Sequence, residues 1–276
     1  MRRLPFSTKL LLAILLLLLA AAIAAPWISP HDPLRQSLLL RLKPPGSTSA
    51  LGVFLLGTDD LGRDLLSRIL YGARASFAVA TLSVVVSLVV GVTLGLAAGW
   101  VRGWMAAVIM RFVDAMLSIP AILLAVLTVA VIGPGFLDLV LVLGLTRWPR
   151  YTRVGYASTL QVASMPFIQA SQMAGSGAAR ILRRHVLPNI AGPIMVVATS
   201  EFGLMILSEA GLSFLGLGIQ PPDPSWGSIL SAGRQYVERA WWLTVFPGLG
   251  LFAVVICVNL VGDALRDRLD PRSATR

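Results

Sequence analysis

Six apolar stretches separated by short polar segments dominate the hydropathy pattern of this chain. They cover residues 10–28, 76–99, 116–133, 136–148, 190–211 and 243–262. A membrane-spanning helix needs about 20 predominantly apolar residues, because the hydrocarbon core of a bilayer is about 30 Å thick. The pattern therefore predicts an all-α, polytopic transmembrane bundle of about six helices. The fourth stretch covers only about 20 Å at the helical rise, so we expect its helix to continue past Pro149 with a kink.

The first apolar stretch is predicted to be a membrane helix and not a cleaved signal peptide. Basic residues precede it, as they would precede either element. The stretch is longer than the usual apolar region of a signal peptide, however, and its only Ala-rich cleavage candidate, residues 22–25, is followed by Pro26. Since proline is unfavourable after a cleavage site, we expect an uncleaved helix.

Composition supports the membrane class and excludes others. The 276 residues are 56% hydrophobic and 13% charged, and the mean hydropathy is +0.80. The net charge of +10 would suit a nucleic-acid partner only if the basic residues were interleaved with aromatic residues in a soluble domain. They are instead spread over short loops, so no nucleic acid is expected. The single Cys257 excludes an internal disulfide and a cysteine-cluster metal site.

The distribution of basic residues predicts the orientation. If the N-terminus is cytoplasmic, the inside segments hold fifteen of the 23 lysines and arginines. These fifteen include Arg2, Arg3, Arg147, Arg150, Arg153, Arg272 and Arg276. Because cytoplasmic loops carry an excess of basic residues, we expect a multi-pass, lipid-embedded protein of the inner membrane with both termini in the cytoplasm. Trp27, Trp241 and Trp242 are then expected at the outer interface.

The most distinctive polar segment, residues 164–189, has the features of a docking element. Ser164 can cap a short helix, and Pro166 is tolerated in its first turn. Small residues around Gly175 keep part of the segment thin enough for another protein to close around it. Pro188 disfavours helical geometry at the residue before it, so we expect an angle between this segment and the next membrane helix. The alternative is a basic connector that only obeys the positive-inside rule. We call residues 164–189 the predicted docking segment.

Two glutamates lie within the fifth apolar stretch. Acidic residues inside a membrane segment usually face a cavity, a partner helix or the interface. Glu201 and Glu209 would lie about 80° apart on a helix, hence on one broad face. They either line a path across the membrane, or make structural hydrogen bonds, or contact a sister subunit.

Charged residues also cluster ahead of the second apolar stretch. Asp59 and Arg63 are four residues apart, as are Asp64 and Arg68, and on a helix each would form an ordinary surface pair. The same carboxylates could hold a cation, but a structural role is the favoured interpretation.

Four motifs occur in the order in which one family carries them. They are Leu56-Gly57-Thr58-Asp59 with Leu61-Gly62-Arg63-Asp64 and Gly72-Ala73-Arg74-Ala75-Ser76; the predicted docking segment; Gly211-Leu212-Ser213-Phe214-Leu215-Gly216-Leu217-Gly218 with Ser225-Trp226-Gly227; and Asn259 to Asp267 with Asp270-Pro271. The chain resembles the second permease of the ATP-driven dipeptide, oligopeptide and nickel importers. That family writes Glu-Ala-Ala, three residues, Gly, and later Leu-Pro in its docking loop, so Gln169 and Ser171 depart from it.

The resemblance implies a type I ABC importer permease fold of the MetI kind. It also implies a homologous second permease, two ABC ATPase subunits and an extracytoplasmic solute-binding protein as partners, with short peptides as the solute. Nickel or a metal chelate is the alternative solute. The residues it assigns to ATPase coupling are Gln169, Ala170, Ser171, Gly175, Arg180, Arg184, His185, Leu187 and Pro188. Glu209 lies within a family motif and is expected to be more sensitive to substitution than Glu201.

Missing motifs argue against an enzyme. The chain has no Gly-x4-Gly-Lys loop and no His-Glu-x-x-His, so we expect no catalytic residue, cofactor or metal here, and ATP and Mg²⁺ would be bound by the ATPase subunits. An intramembrane serine hydrolase built on Gly211-Leu212-Ser213 would lack a histidine after that serine. A stand-alone channel or carrier would not need the predicted docking segment.

Three parts of the chain are predicted. Residues 1–74 would form an N-terminal transmembrane helix and an extracytoplasmic segment. Residues 75–265 would form the permease domain, with a coupling loop at about 150–190, and residues 266–276 a cytoplasmic tail.

Overall fold

The computed structural model describes residues 6–269. Arg2, Arg3, Asp270, Pro271, Arg272 and Arg276, which entered the predictions above, lie outside the described residues. The helices are α1 (Phe6–Ile23), α2 (Ala25–Ile28), α3 (Leu65–Val101), α4 (Gly103–Ser118), α5 (Ala121–Ile132), α6 (Phe136–Ala163), α7 (Pro166–Met173), α8 (Ala178–Ile181), α9 (Leu187–Phe214), α10 (Trp226–Gly233) and α11 (Trp242–Leu269). A short antiparallel hairpin of β1 (Ser47–Ser49) and β2 (Gly52–Phe54) was not predicted by the pattern.

Each of the six predicted apolar stretches coincides with helical structure. Among residues 6–269, three helical runs are long and apolar enough to cross a membrane: Leu65–Val101, Ala178–Phe214 and Trp242–Arg268. A fourth span results if α4 and α5, bent by 90° at their junction, are taken together. The bend follows from Pro120, because the residue before a proline is driven out of helical geometry. α6 continues through Pro149, as expected.

A seam of small residues joins α3 to α6, which run parallel to each other. Ser83 and Ser87 of α3 donate hydrogen bonds to the carbonyl oxygens of Val140 and Gly144 of α6, at 3.2 and 2.7 Å. Further along, Gly91, Gly95 and Gly99 meet α6 so closely that a Cβ atom at Gly95 would lie 2.8 Å from the Thr152 carbonyl oxygen. Small residues spaced four apart allow such close helix contact.

The return helix α9 completes the core between α3, α6 and α11. Gly203 of α9 approaches Asn259 of α11, and Gly262 of α11 approaches Thr199. One apolar cluster fills the half of the bundle near the start of α3, around Phe77, and a second fills the half near the end of α6, around Tyr151. The two ends of the bundle are thus defined by residues 29–64 and by the predicted docking segment.

Residues 29–64, which we call the cap, fold over the start of α3. Asp59 accepts from the Arg63 Nε at 2.6 Å and lies 3.3 Å from the Arg68 Nε, and all three side chains are buried. Asp64 caps α3 by accepting from the Ser67 backbone N–H. The prediction of surface pairs on a helix was therefore wrong. These residues lie at a loop-to-helix junction, where the carboxylates satisfy backbone donors and buried guanidinium groups.

The cap also changes the position expected for one tryptophan. Trp242 is buried and donates from its indole N–H to the Thr58 carbonyl oxygen at 3.2 Å. Trp27, by contrast, is exposed next to the end of α1, as an interfacial residue would be.

Candidate coupling segment and buried charge networks

The predicted docking segment is a compact arrangement of short helices at one end of the bundle. α7 is followed by a turn, by α8 and by one π-helical turn, Leu182–Val186, that leads directly into α9. Ile168 of α7 and Ile181 of α8 are fully buried and pack in the apolar cluster around Tyr151. Two apolar anchors therefore fix the segment to the transmembrane helices, and its polar side stays outside.

Gly175 ends α7 in a Schellman motif. Its φ is +79°, the Ser176 N–H bonds the Ser171 carbonyl oxygen, and the Gly175 N–H bonds that of Gln172, at 3.1 and 2.9 Å. A helix that closes in this way needs a residue in the left-handed conformation, which glycine adopts without strain. A Cβ atom at Gly175 would meet no other atom within 4 Å. Within this chain, backbone conformation and not crowding explains the glycine.

Two local expectations about the segment were wrong. Ser164 does not cap α7, because its hydroxyl donates to the Gln161 carbonyl oxygen and Met165 occupies the N-cap position. Leu187 keeps helical dihedrals (φ −56°, ψ −45°) despite Pro188. Its N–H bonds the Leu182 carbonyl oxygen, five residues back. This wider π turn separates the proline ring from the carbonyl groups of the preceding turn. Pro166 does begin α7, as expected.

None of the nine predicted coupling residues is buried. Ser171 and His185 are half-buried, and the exposed residues are Gln169, Ala170, Gly175, Arg180, Arg184, Leu187 and Pro188. Met173, which the sequence did not single out, is a large apolar side chain of α7 that is 90% exposed. The surface that α7 offers is thus partly polar and partly apolar.

An open cleft of about 420 Å³ adjoins α7. Gln169 and Gln172 of α7 line it together with Trp100 and Arg102, which mark the end of α3.

His185 faces Phe167 edge-on at 6.1 Å, and its carbonyl oxygen accepts from the Asn189 amide at 2.7 Å. These contacts favour a structural role for His185.

Glu201 is the centre of a buried ion network between α9 and α6. Its two carboxylate oxygens lie 2.9 Å from the Arg150 Nη1 and 3.4 Å from the Arg147 Nη1. Arg147 also donates to the Ser208 hydroxyl at 2.9 Å. The carboxylate is almost fully buried, whereas the Arg150 side chain is 54% exposed. Two guanidinium groups share one carboxylate, so the network carries a net positive charge.

Sequence reasoning placed Arg147 and Arg150 with the cytoplasmic loops and so missed their pairing with Glu201. Arg147 is 11 residues into α6, about 16 Å along the helix axis. The orientation argument does not need either residue, since most of the basic residues remain on the same side without them. The position of Arg147 inside an apolar helix could have indicated this pairing, because a charged residue there usually faces a buried partner or a polar cavity.

Glu209 is held by serine hydroxyls at the end of the bundle near the cap. Ser76 of α3 and Ser213 of α9 each donate to one of its carboxylate oxygens, at 2.7 Å. Glu209 is completely buried. Of the alternatives considered from sequence, a structural hydrogen bond describes what the structure shows for this residue within the chain.

Two of the sequence motifs meet at this point. Trp226 donates from its indole N–H to the Ile69 carbonyl oxygen at 3.0 Å, and a Cβ atom at Gly72 would lie 3.2 Å from the Ser225 carbonyl carbon. Segments as far apart in the sequence as 157 residues thus form one tightly packed corner near Glu209.

Two protein-family models match the sequence of this chain. Residues 91–275 match the model described as "Binding-protein-dependent transport system inner membrane component". Residues 10–45 match the "N-terminal TM domain of oligopeptide transport permease C". The first match covers more than half of the chain. The chain belongs to the family of binding-protein-dependent transport system inner membrane components. It is therefore an integral membrane permease of the ABC importer class.

Curated relatives support the same assignment over nearly the whole chain. The dipeptide transport system permease protein DppC of Escherichia coli K12 is 47% identical over 95% of this chain and 87% of its own length. The di/tripeptide transport system permease protein DppC of Pseudomonas aeruginosa is 44% identical over 95% and 86%. The Haemophilus influenzae protein of the name DppC is 37% identical over 95% and 89%.

Solved structures confirm the predicted MetI-like fold. A chain of the inward-facing MetNI methionine ABC transporter superposes with a TM-score of 0.59, at 19% identity, covering 75% of this chain and 98% of that one. A second crystal form of the same transporter gives 0.58, covering 74% and 96%. The shared fold therefore accounts for about three quarters of this chain and nearly all of the solved one.

Proposed function

We propose that this chain is one of two homologous permease subunits of an importer for short peptides. In this proposal the two permeases form the path across the inner membrane, two ABC ATPase subunits bind ATP and Mg²⁺, and a solute-binding protein delivers the peptide from outside. The sequence identity of 47% to the Escherichia coli DppC, over 95% of this chain, supports short peptides as the solute rather than nickel or a metal chelate.

The predicted docking segment is the surface proposed to contact an ATPase subunit. Its nine predicted coupling residues are all at least partly accessible, while Ile168 and Ile181 hold it to the bundle. Firm attachment matters because a loose loop would absorb a displacement without passing it on. The Gln169 side chain can replace only part of the interaction that the family's glutamate would make with a basic group.

Helical continuity gives this contact a mechanical consequence. α8, the π turn and α9 form one uninterrupted run, Ala178–Phe214, so a movement of the segment at one end is carried along α9. Glu201 and Glu209 lie on that helix and tie it to α6 and α3. In the proposal, closure of the ATPase subunits displaces α7 and α8 and shifts α9 against these two ties. Arg150, half-exposed beside Glu201, is proposed to face the path or the second permease.

An uptake experiment tests the solute and the class of function. In cells that lack this gene, the restored wild-type chain should support accumulation of a labelled dipeptide that depends on ATP and on the binding protein. Nickel uptake measured in parallel should be unchanged. Restoration of nickel uptake alone would reject the peptide assignment, and dipeptide uptake that does not need an ATPase subunit would reject the importer.

A crosslinking experiment tests the docking surface separately. In a Cys257→Ala background, Met173→Cys should crosslink to an ATPase subunit in native membranes. Leu51→Cys, at the tip of the hairpin in the cap, is the control and should give no such product. Crosslinking from the cap and not from α7 would place the ATPase at the wrong end of the bundle for this proposal.

A further inference from the structure

A groove between α1 and α3 opens on the outer surface of the bundle near the cap. Its volume is about 350 Å³, and its walls are formed by Leu19, Ala22 and Ile23 of α1 and by Phe77, Ala78 and Leu82 of α3. Phe77 and Ala22 are buried and form the floor, whereas Ile23 and Leu82 are exposed at the rim. We call it the α1–α3 groove.

The polar groups of the groove are confined to one end. Thr81 also lines the groove, but its hydroxyl donates to the Phe77 carbonyl oxygen at 2.8 Å, which leaves its methyl group for the groove. Arg74 is the one charged residue of the lining. It is exposed and forms no hydrogen bond or ion pair with any residue between 6 and 269.

The cation lies at the end of the groove nearest the cap. Helical side chains lean toward the N-terminus of their helix, and α3 begins directly after the cap, so the guanidinium is directed to that end. Arg74 and Leu82 are eight residues apart, which is about 12 Å along the helix. That is a little less than one leaflet of a hydrocarbon core about 30 Å thick. Ile23, at the same end, lies one turn from the exposed Trp27, for which the sequence predicts a position at the outer interface.

A cation at the membrane interface above a narrow apolar channel is complementary to one kind of molecule. We propose that the α1–α3 groove binds a phospholipid, with its phosphate on Arg74 and the upper part of one acyl chain between Leu19 and Leu82. Arginine is suited to phosphate oxygens because its planar donors bind them in pairs. Long cationic side chains reach the headgroup level readily from within a membrane helix.

This site would have a role beyond solute passage. α1 contacts the permease core through α3 and α11, and a lipid in the groove would join α1 to α3 where their own side chains leave a gap. The bound lipid would thus hold the N-terminal helix against the core.

Photocrosslinking of lipid to the full chain tests the site. The chain is placed in nanodiscs that contain a phospholipid with a photoreactive acyl chain, and crosslinked peptides are mapped. Labels should concentrate at residues 19–23 and 78–82. Ala78→Trp, which fills the groove, should reduce this labelling about tenfold, whereas Val85→Trp, on a lipid-exposed part of α3 outside the groove, should not. Uniform labelling of all exposed helices would overturn the proposal, as would crosslinking of a second protein at the groove.

The headgroup contact is tested without altering the packing. Arg74→Gln should lower the amount of phospholipid retained in native mass spectrometry at least about tenfold, because it removes the charge and the paired donors that bind the phosphate. Arg74→Lys keeps the charge but not the paired donors, and should retain more lipid than Arg74→Gln and less than the wild type. Arg35→Gln, a basic residue of the cap, is the control. Inorganic phosphate should not displace the lipid. Displacement by millimolar phosphate, or equal retention by Arg74→Gln, would show that no phospholipid site of this kind exists.

Discussion

At the scale of single residues, the two buried glutamates have different partners and hence different expected sensitivities. Glu201 compensates two guanidinium groups, whereas Glu209 accepts from two serine hydroxyls. A serine hydroxyl can turn and accept a hydrogen bond from an amide, but a guanidinium cannot accept one. For stability, the contacts therefore predict the opposite order to the one that the family motif predicts for transport, which stays a separate prediction.

We predict that Glu201→Gln lowers the stability of the chain more than Glu209→Gln. Removing one partner of a buried ion pair costs on the order of 3 kcal/mol, less here because Arg150 is half-exposed. Glu209→Gln should cost about 1 kcal/mol. The measurement is the thermal midpoint of the purified chain in detergent. Adding Arg147→Gln to Glu201→Gln should recover part of the loss, and a larger loss for Glu209→Gln would contradict the prediction.

Gly175 can be required for two different reasons, and substitutions separate them. Its left-handed φ makes most side chains costly by about 1 kcal/mol or more, and an ATPase groove would exclude bulk. Gly175→Asn should preserve α7 and coupling, because asparagine tolerates this conformation. Gly175→Arg should abolish ATP-dependent uptake while the chain still inserts.

Gly177→Arg is the matched control for bulk alone, since Gly177 is exposed with an ordinary φ of −67° and open space around it. Uptake and co-purification of the ATPase are measured for all three variants. Full activity of both Gly175→Arg and Gly177→Arg would mean that the predicted docking segment is only a basic connector.

At the scale of elements, the α3–α6 seam depends on glycines that face backbone. A Cβ atom at Gly95 would lie 2.8 Å from the Thr152 carbonyl oxygen and 2.9 Å from the Tyr156 nitrogen, neither of which can move without shifting α6. We predict that Gly95→Ala destabilises the chain by about 2 kcal/mol and lowers the amount inserted in the membrane.

Gly211 provides the comparison for the seam. It lies inside α9 with no atom within 4 Å of an added Cβ, and alanine favours a helix by about 1 kcal/mol over glycine. Gly211→Ala should therefore leave the thermal midpoint unchanged or raise it. Equal effects of the two alanine substitutions would mean that helix propensity and not packing governs the seam.

At the scale of the whole molecule, the orientation in the membrane is the remaining prediction. Ala50 lies in the cap and Ala170 in the predicted docking segment, at opposite ends of the bundle. Reporter fusions after residues 50, 170 and 276 should report outside, inside and inside, although residue 276 lies beyond the described residues. An outside signal at 170 would reverse the orientation and remove the proposed ATPase contact.

Local properties of the chain were sufficient to locate the helices and the predicted docking segment. Hydropathy over about 20 residues fixes which segments enter a membrane, and Pro166 and the small residues around Gly175 mark a short surface helix and its end without any distant contact. Gly91, Gly95 and Gly99 are spaced four apart, a pattern that allows close helix contact, but no prediction was made from it and nothing local identifies α6 as the partner.

Tertiary structure decided the partners of the charged and polar residues. Arg147 and Arg150 find Glu201 more than 50 residues away, Ser76 finds Glu209 across 133 residues, and Asp59 becomes buried only because the cap folds over α3. A buried charge takes whichever partner the packing brings near, because leaving it unpaired in an apolar interior is too costly. Spacing along a helix indicates which residues share a face, but the register between helices distant in sequence determines which charges meet.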